Sequence, residues 1–334
     1  MADYDIFALG DLVLQSGATL WQAKLAYRTY GTLNDERDNA VLIPTFYAAH
    51  HTDVEPMMTA GRAIDPAKYF VIVPNMFGNG LSSSPSNTPP PIDRAAFPHV
   101  TVYDNVVAQH RLVTEHLGIR RLRLVAGFSM GAQQAFQWGA LYSDMLHAIA
   151  PICGSARTSP HNLVFLEGVK AALTADSAFE DGWYRSPPTK GLIAFARVYA
   201  GWVYSQDFYR EREYHKMGLA SIEDVLRFSE ARYRQRDAND LLAMLWTWQH
   251  ADISANARFN GDFTAALEAI EARAIVMPGQ TDLYFRVRDN ELEVAHMPHS
   301  ELRPIPSIWG HAAGRGANSP DNHFIDAALK ELLS

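Results

Sequence analysis

The stretch "LVAGFSMG" (124–131) constrains the fold of this 334-residue chain more than any other segment. An apolar run leads into Gly127-Phe128-Ser129-Met130-Gly131, and Gly131, Ala132 and Ala135 keep the start of the following helical pattern small. A buried strand that turns sharply into a helix with a serine at the apex is the nucleophile-elbow arrangement. Bulky residues on either side of Ser129 would collide across such a turn. The turn also aims the backbone N–H of Met130 at a carbonyl under attack, as an oxyanion donor.

The rest of the chain supplies a setting for that turn. The first thirty residues read as a hairpin with its turn at Ser16-Gly17. Continuous apolar runs at 40–46 and 69–75 suit strands covered on both faces. Residues 75–91, rich in Gly, Ser and Pro, read as loop, and 104–118 as a helix closed by Gly118. A strand at 121–128, a helix from Met130 to about Tyr142 and a strand at 146–153 complete an alternation that implies a mostly parallel sheet flanked by helices. From 155 to 268 the periodicity is helical with almost no strand signal. Strand patterns then return at 272–279 and 301–307, and a helix ends the chain. The expectation is an α/β core of residues 1–154 and 269–334, with a helical lid at 155–268. Most of the lid aromatics, Trp183, Tyr184, Tyr199, Trp202, Trp246 and Trp248, read as helix packing.

A serine hydroxyl needs a base, and the base needs a carboxylate to orient it. In an elbow fold these follow in the order Ser, acid, His, at the ends of later strands. The strand "AIVMPG" runs into Asp282, and "LRPIPS" leads to a loop holding His311. Asp289 falls inside the next helix and His323 at the start of the last one, so neither fits as well. The second oxyanion donor is expected from the loop after 40–46, at the N–H of Tyr47 or Phe46. His50 and His51 stand near the expected site mouth; adjacent residues point different ways, which makes them poor metal ligands.

A net charge of −8 argues against a nucleic-acid or anionic-membrane surface. Arg111, Arg120, Arg121 and Arg123 read as a solvated rim. No Cys/His spacing resembles a metal site, and the single cysteine, Cys153, reads as a buried structural thiol. Nothing resembles a signal peptide, and no apolar stretch is long enough to span a bilayer. A cytoplasmic enzyme is the expectation.

With these residues placed, the chain resembles the homoserine O-acetyltransferase family of the α/β-hydrolase fold over nearly its whole length. "AYRTYGTLNDERDNAVLI", "FVIVPNMFGNGLSSSPSN", "GFSMGAQQAFQWG", "RDANDLLAMLWTWQHADIS" and the late "GH" carry the resemblance. It implies nucleophile Ser129, acid Asp282, base His311, and oxyanion donors Met130 and Tyr47. The chain departs from the transacetylases where they carry a Gln-Arg pair thought to hold the amino-acid carboxylate. Val169 and Lys170 stand at those positions, and lysine does not replace a bidentate guanidinium. The loop "PTFYAAHH" and the segment "WTWQHADIS" are similar to the esterase members instead. The resemblance therefore implies a hydrolase of short acyl, acetyl-type esters working without a cofactor. O-acyl transfer, with acetyl-CoA as acyl donor, is the alternative. Phe46, His50, Lys170 and Trp248 are the substrate-contact candidates, and a homodimer through the lid helices is the expected assembly.

Overall fold

The computed structural model describes residues 3–334. β1 (Asp5–Val13) and β2 (Thr19–Tyr30) form the expected antiparallel hairpin, its turn closed by Gly17 N–H donating to Leu14 O at 2.9 Å. Next come β3 (Ala40–Leu42), β4 (Phe70–Pro74), α1 (Val102–Arg111), β5 (Leu124–Phe128), α2 (Met130–Tyr142) and β6 (Ala148–Ile152). Between β6 and the next strand run α3 (Pro160–Thr174), α4 (Thr189–Val203), α5 (Gln206–Arg210), α6 (Ile222–Tyr233), α7 (Ala238–Gln249) and α8 (Phe263–Glu268). The chain closes with β7 (Arg273–Val276), α9 (Val287–Val294), β8 (Ser300–Leu302) and α10 (Ser319–Leu333).

The eight strands form one sheet in the order β1-β2-β4-β3-β5-β6-β7-β8. From β4 to β8 every pairing is parallel, and only the β1–β2 and β2–β4 contacts are antiparallel. Successive residues of the central strands feed opposite cores, as the strand period of two requires. Val41, Val71, Leu124 and Ala126 join a core with α10 and the helices between β6 and β7. Leu42, Ile72, Val125 and Ile149 join a second core with α1 and α2. Burial on both faces is why these strands read as unbroken apolar runs.

Two strands are shorter than their apolar runs suggest. The run 40–46 holds regular pairing only to Leu42, because Pro44 has no N–H to give the ladder, although Ile43 and Thr45 still donate to Ile72 and Pro74. Pro304 and Pro306 interrupt 301–307 in the same way, leaving β8 and an isolated bridge between Gly279 and Ile305. The helix expected over 104–118 begins at Val102, capped by Thr101, and widens into a π-turn over Leu112–His116. Gly118, with φ 62°, then turns the chain out of it.

The tightest packing lies where β5 meets α2. A β-carbon on Gly131 would sit 2.7 Å from Pro44 O, and one on Gly127 would collide with the carbonyl of Gly131. Gly131→Ala is expected to lower stability by about 1–3 kcal/mol through overpacking. Gly127→Ala, whose β-carbon would lie 2.0 Å from the Gly131 carbonyl oxygen, should cost more. Urea unfolding midpoints of the two variants against the parent check both the direction and the order.

Candidate active site

Ser129 follows β5 and is the last residue before α2. Its backbone has φ 59° and ψ −124°, its N–H donates to Ile152 O in β6 at 2.9 Å, and its side chain is buried. Asp282 follows β7 after a bend in which its N–H donates to Gly279 O, and His311 lies on the short helical segment Gly310–Arg315 beyond β8. The carboxyl ends of three parallel strands, β5, β7 and β8, thus bring together residues 129, 282 and 311.

The three side chains are hydrogen-bonded in series. His311 Nδ1 donates to Asp282 Oδ2 at 2.7 Å, which leaves Nε2 free to accept from Ser129 Oγ at 2.9 Å. Asp282 Oδ1 accepts from the backbone N–H groups of Tyr284 (2.7 Å) and Phe285 (3.2 Å), so the carboxylate is fixed from both sides. Thr281 joins the two loops: its hydroxyl donates to Ser307 O and accepts from Gly310 N–H. Phe128 and Tyr284 rings, each 4.7 Å from the imidazole centroid, and Phe285 at 5.6 Å shield His311 from water.

Met130 opens α2, so its N–H is one of the donors that a helix start leaves without an internal partner. The N–H of Tyr47 makes no backbone hydrogen bond among the described residues. The close approach of Gly131 to Pro44 brings these two segments together. A cavity of about 50 Å³ opens over Ser129 and His311, walled by Phe46, Tyr47, Phe128 and Tyr199. A single water needs on the order of 10–15 Å³, so the cavity suits a small group against the serine.

Comparison with known proteins places the chain in a family. The α/β-hydrolase fold family matches residues 41–310, which include both Ser129 and Asp282. The chain belongs to that family. An ethyl acetate hydrolase of Pseudomonas veronii is 38% identical over 335 residues, 99% of this chain and 95% of that one. The crystal structure of an acetylester hydrolase from Corynebacterium glutamicum superposes with a TM-score of 0.96 at 39% identity, covering 99% of this chain and 95% of that one. A homoserine O-acetyltransferase of Chlorobium chlorochromatii is 31% identical over 337 residues, 96% of this chain and 93% of its own. The chain is an enzyme of the α/β-hydrolase superfamily.

The remaining substrate-contact candidates part company in this α/β-hydrolase. Phe46 and Tyr47 line the cavity. Trp248 does not; it is fully buried between Tyr47, Tyr284 and Phe285, as a core residue of the helical insertion. His50 also stands back, its Nε2 donating to Asn79 O at 3.0 Å while Nδ1 accepts from Arg236. Burial and then the Arg236 charge lower its pKa. Lys170 pairs with Glu167 on the outer face of α3 and borders a separate groove with Arg94 and Trp246, so it offers no clamp beside Ser129. Its neighbour Val169 is buried. Sequence reading missed Tyr199, Arg232, Tyr233 and Arg315, which do line the cavity. Tyr199, Arg232 and Tyr233 lie on α4 and α6, where only the aromatic richness of 155–268 gave a signal, and Arg315 follows His311 on its short helical segment with none.

Behind the serine turn lies an ionisable group. Glu293 on α9 is buried, accepts from Ala156 N–H at 2.8 Å, and takes a 2.7 Å hydrogen bond from Asn290, whose amide also donates to Gly154 O. Burial, only partly offset by these hydrogen bonds, pushes its pKa from 4.5 up to about 8. Between those values the unfolded chain has released a proton that the folded chain keeps, so stability falls as pH rises from about 4.5 to about 8. Glu293→Gln removes the ionisation. It should raise the melting temperature relative to wild type at pH 9 and change it much less at pH 5. Thermal scans at the two values test this, and an equal shift at both would refute it.

Proposed function

We propose that this enzyme is a serine carboxylic-ester hydrolase acting on short-chain, acetyl-type esters. The observation that carries the reading is the series Asp282–His311–Ser129 at the floor of a small, aromatic-walled cavity. Ser129 Oγ attacks the ester carbonyl as His311 Nε2 takes its proton, and Asp282 holds the imidazole in the tautomer that allows this. The N–H groups of Met130 and Tyr47 receive the negative charge that develops on the carbonyl oxygen. His311 then passes the proton to the departing alcohol, leaving an acyl group on Ser129. Water, activated by the same imidazole, releases the acid and restores the serine. No step calls for a cofactor. The helices of residues 155–268 act as a lid, since Tyr199 and Tyr233 contribute walls of the cavity from α4 and α6.

A second reading, O-acyl transfer from an acyl-CoA, draws on the homoserine O-acetyltransferase relatives. It passes through the same acyl-enzyme and differs in what accepts the acyl group. The burial of Val169 and the outward position of Lys170 favour water over an amino-acid acceptor.

Ser129→Ala should lower turnover of ethyl acetate or p-nitrophenyl acetate by a factor on the order of a thousand or more, with the unfolding midpoint little changed. Residual turnover at the parent rate would dismiss the serine mechanism. Incubation with acetyl-CoA and homoserine, set beside ethyl acetate, separates the two readings. Acetate release is expected to dominate, and rapid formation of O-acetylhomoserine would reverse the assignment.

A further inference from the structure

Arg315 ends the short helix that carries His311, and Arg232 lies in the last turn of α6. Both line the cavity that holds Ser129, and no acidic side chain lines it. The nearby charge is unbalanced. Arg232 donates to Asp53 Oδ1 at 3.2 Å while Arg236 approaches Asp53 Oδ2 at 3.5 Å, so one carboxylate already serves two guanidinium groups. The Arg315 guanidinium makes no ion pair within 4 Å and donates no hydrogen bond among the described residues, the Asp53 charge reaching it only at longer range. Burial and then the like charge of Arg232 lower its pKa, yet a guanidinium stays protonated across the working range.

A largely desolvated cation with five N–H donors and no acceptor is a costly arrangement, and an anion entering the cavity would relieve it. Guanidinium groups match carboxylates in geometry as well as charge. The position also says which end of an ester would carry that carboxylate. His311 Nε2 must deliver its proton to the leaving oxygen, so the alcohol part lies on the His311 side, where Arg315 shares a helix with that histidine. We infer that Arg315, with Arg232 beside it, forms an anion subsite selecting short acyl esters whose alcohol part bears a carboxylate, such as acetylated hydroxy acids. The inference rests on the esterase reading above and names the substrate class of that same site.

The test compares O-acetylglycolate with its uncharged analogue O-acetylglycolamide, with ethyl acetate as reference, at low ionic strength. Wild-type kcat/KM is expected to favour the carboxylate by about tenfold, the scale of one charge-assisted contact, and added salt should narrow the ratio. Arg315→Met should bring the ratio close to one, and Arg315→Lys should hold it between the two. A wild-type ratio near or below one, with the amide hydrolysed readily, overturns the subsite and leaves the esterase reading standing. So does an Arg315→Met variant that slows both esters in proportion, which is what a merely structural arginine would do. Failure of the wild-type enzyme to hydrolyse any of the three esters overturns the esterase reading and the subsite with it. The wild-type ratio and its salt dependence need no variant, so a poorly folding Arg315→Met does not remove the test.

Discussion

Ser129 is held at φ 59° and ψ −124°, where a residue with a β-carbon persists only if its surroundings over-determine it, at a cost of about 1–3 kcal/mol. Its N–H is tied to Ile152 O in β6, while its carbonyl accepts from the N–H groups of Ala132 and Gln133 in the first turn of α2. The strained residue is therefore fixed both to the sheet and to the helix. The missing side chains of Gly127 and Gly131 are what let helix, strand and the Pro44 loop come within reach of one another. Relaxing this turn would swing Oγ away from His311 and separate the N–H of Met130 from the loop that carries Tyr47. The geometry of the whole site depends on that single backbone conformation.

The second half of the site is assembled differently, by loops rather than by a strained turn. Asp282 and His311 come from segments following β7 and β8, and nothing in their own dihedrals forces them together. Thr281 bridges the two loops, Asp282 is pinned by two backbone N–H groups, and Phe128, Tyr284 and Phe285 pack around the imidazole. Excluding water from the carboxylate–imidazole contact strengthens it, because the effective dielectric around the pair falls. Cys153 sits behind this contact, buried, its thiol pKa pushed up by burial and by the Asp282 charge. A neutral, inert sulfur there adds no competing charge.

The placement of residues 129, 282 and 311 after strand ends was legible in the sequence because each is announced locally. An apolar run ends, a turn residue follows, and the polar side chain comes within a few positions. The same logic located the loop bearing Phe46 and Tyr47. Strand ends at Leu42 and Leu302 were misjudged because hydropathy does not register the N–H that Pro44 and Pro304 lack. Tyr199, Tyr233, Arg232 and Arg315 carry no such local mark. The first three lie on helices of the insertion, and whether a helical residue faces the cavity, the core or solvent depends on how α4 and α6 lie over the sheet. Trp248 shows the converse: its place beside a lid motif suggested a substrate contact, and tertiary packing put it in the core instead.

The charge of the cavity bears on the choice between hydrolysis and transfer. An amino-acid acceptor such as homoserine carries an ammonium as well as a carboxylate, and both must be accommodated near Ser129 for its hydroxyl to reach the acyl carbon. The cavity offers two guanidinium groups and no acidic side chain. The carboxylate of such an acceptor would be well placed, but its ammonium would lie among like charges that the single Asp53 carboxylate, outside the lining, offsets only in part. A hydroxy-acid ester presents the carboxylate alone. On the reading proposed above, a lining that would attract an anionic alcohol portion works against a zwitterionic acceptor and would leave the acyl-enzyme to water.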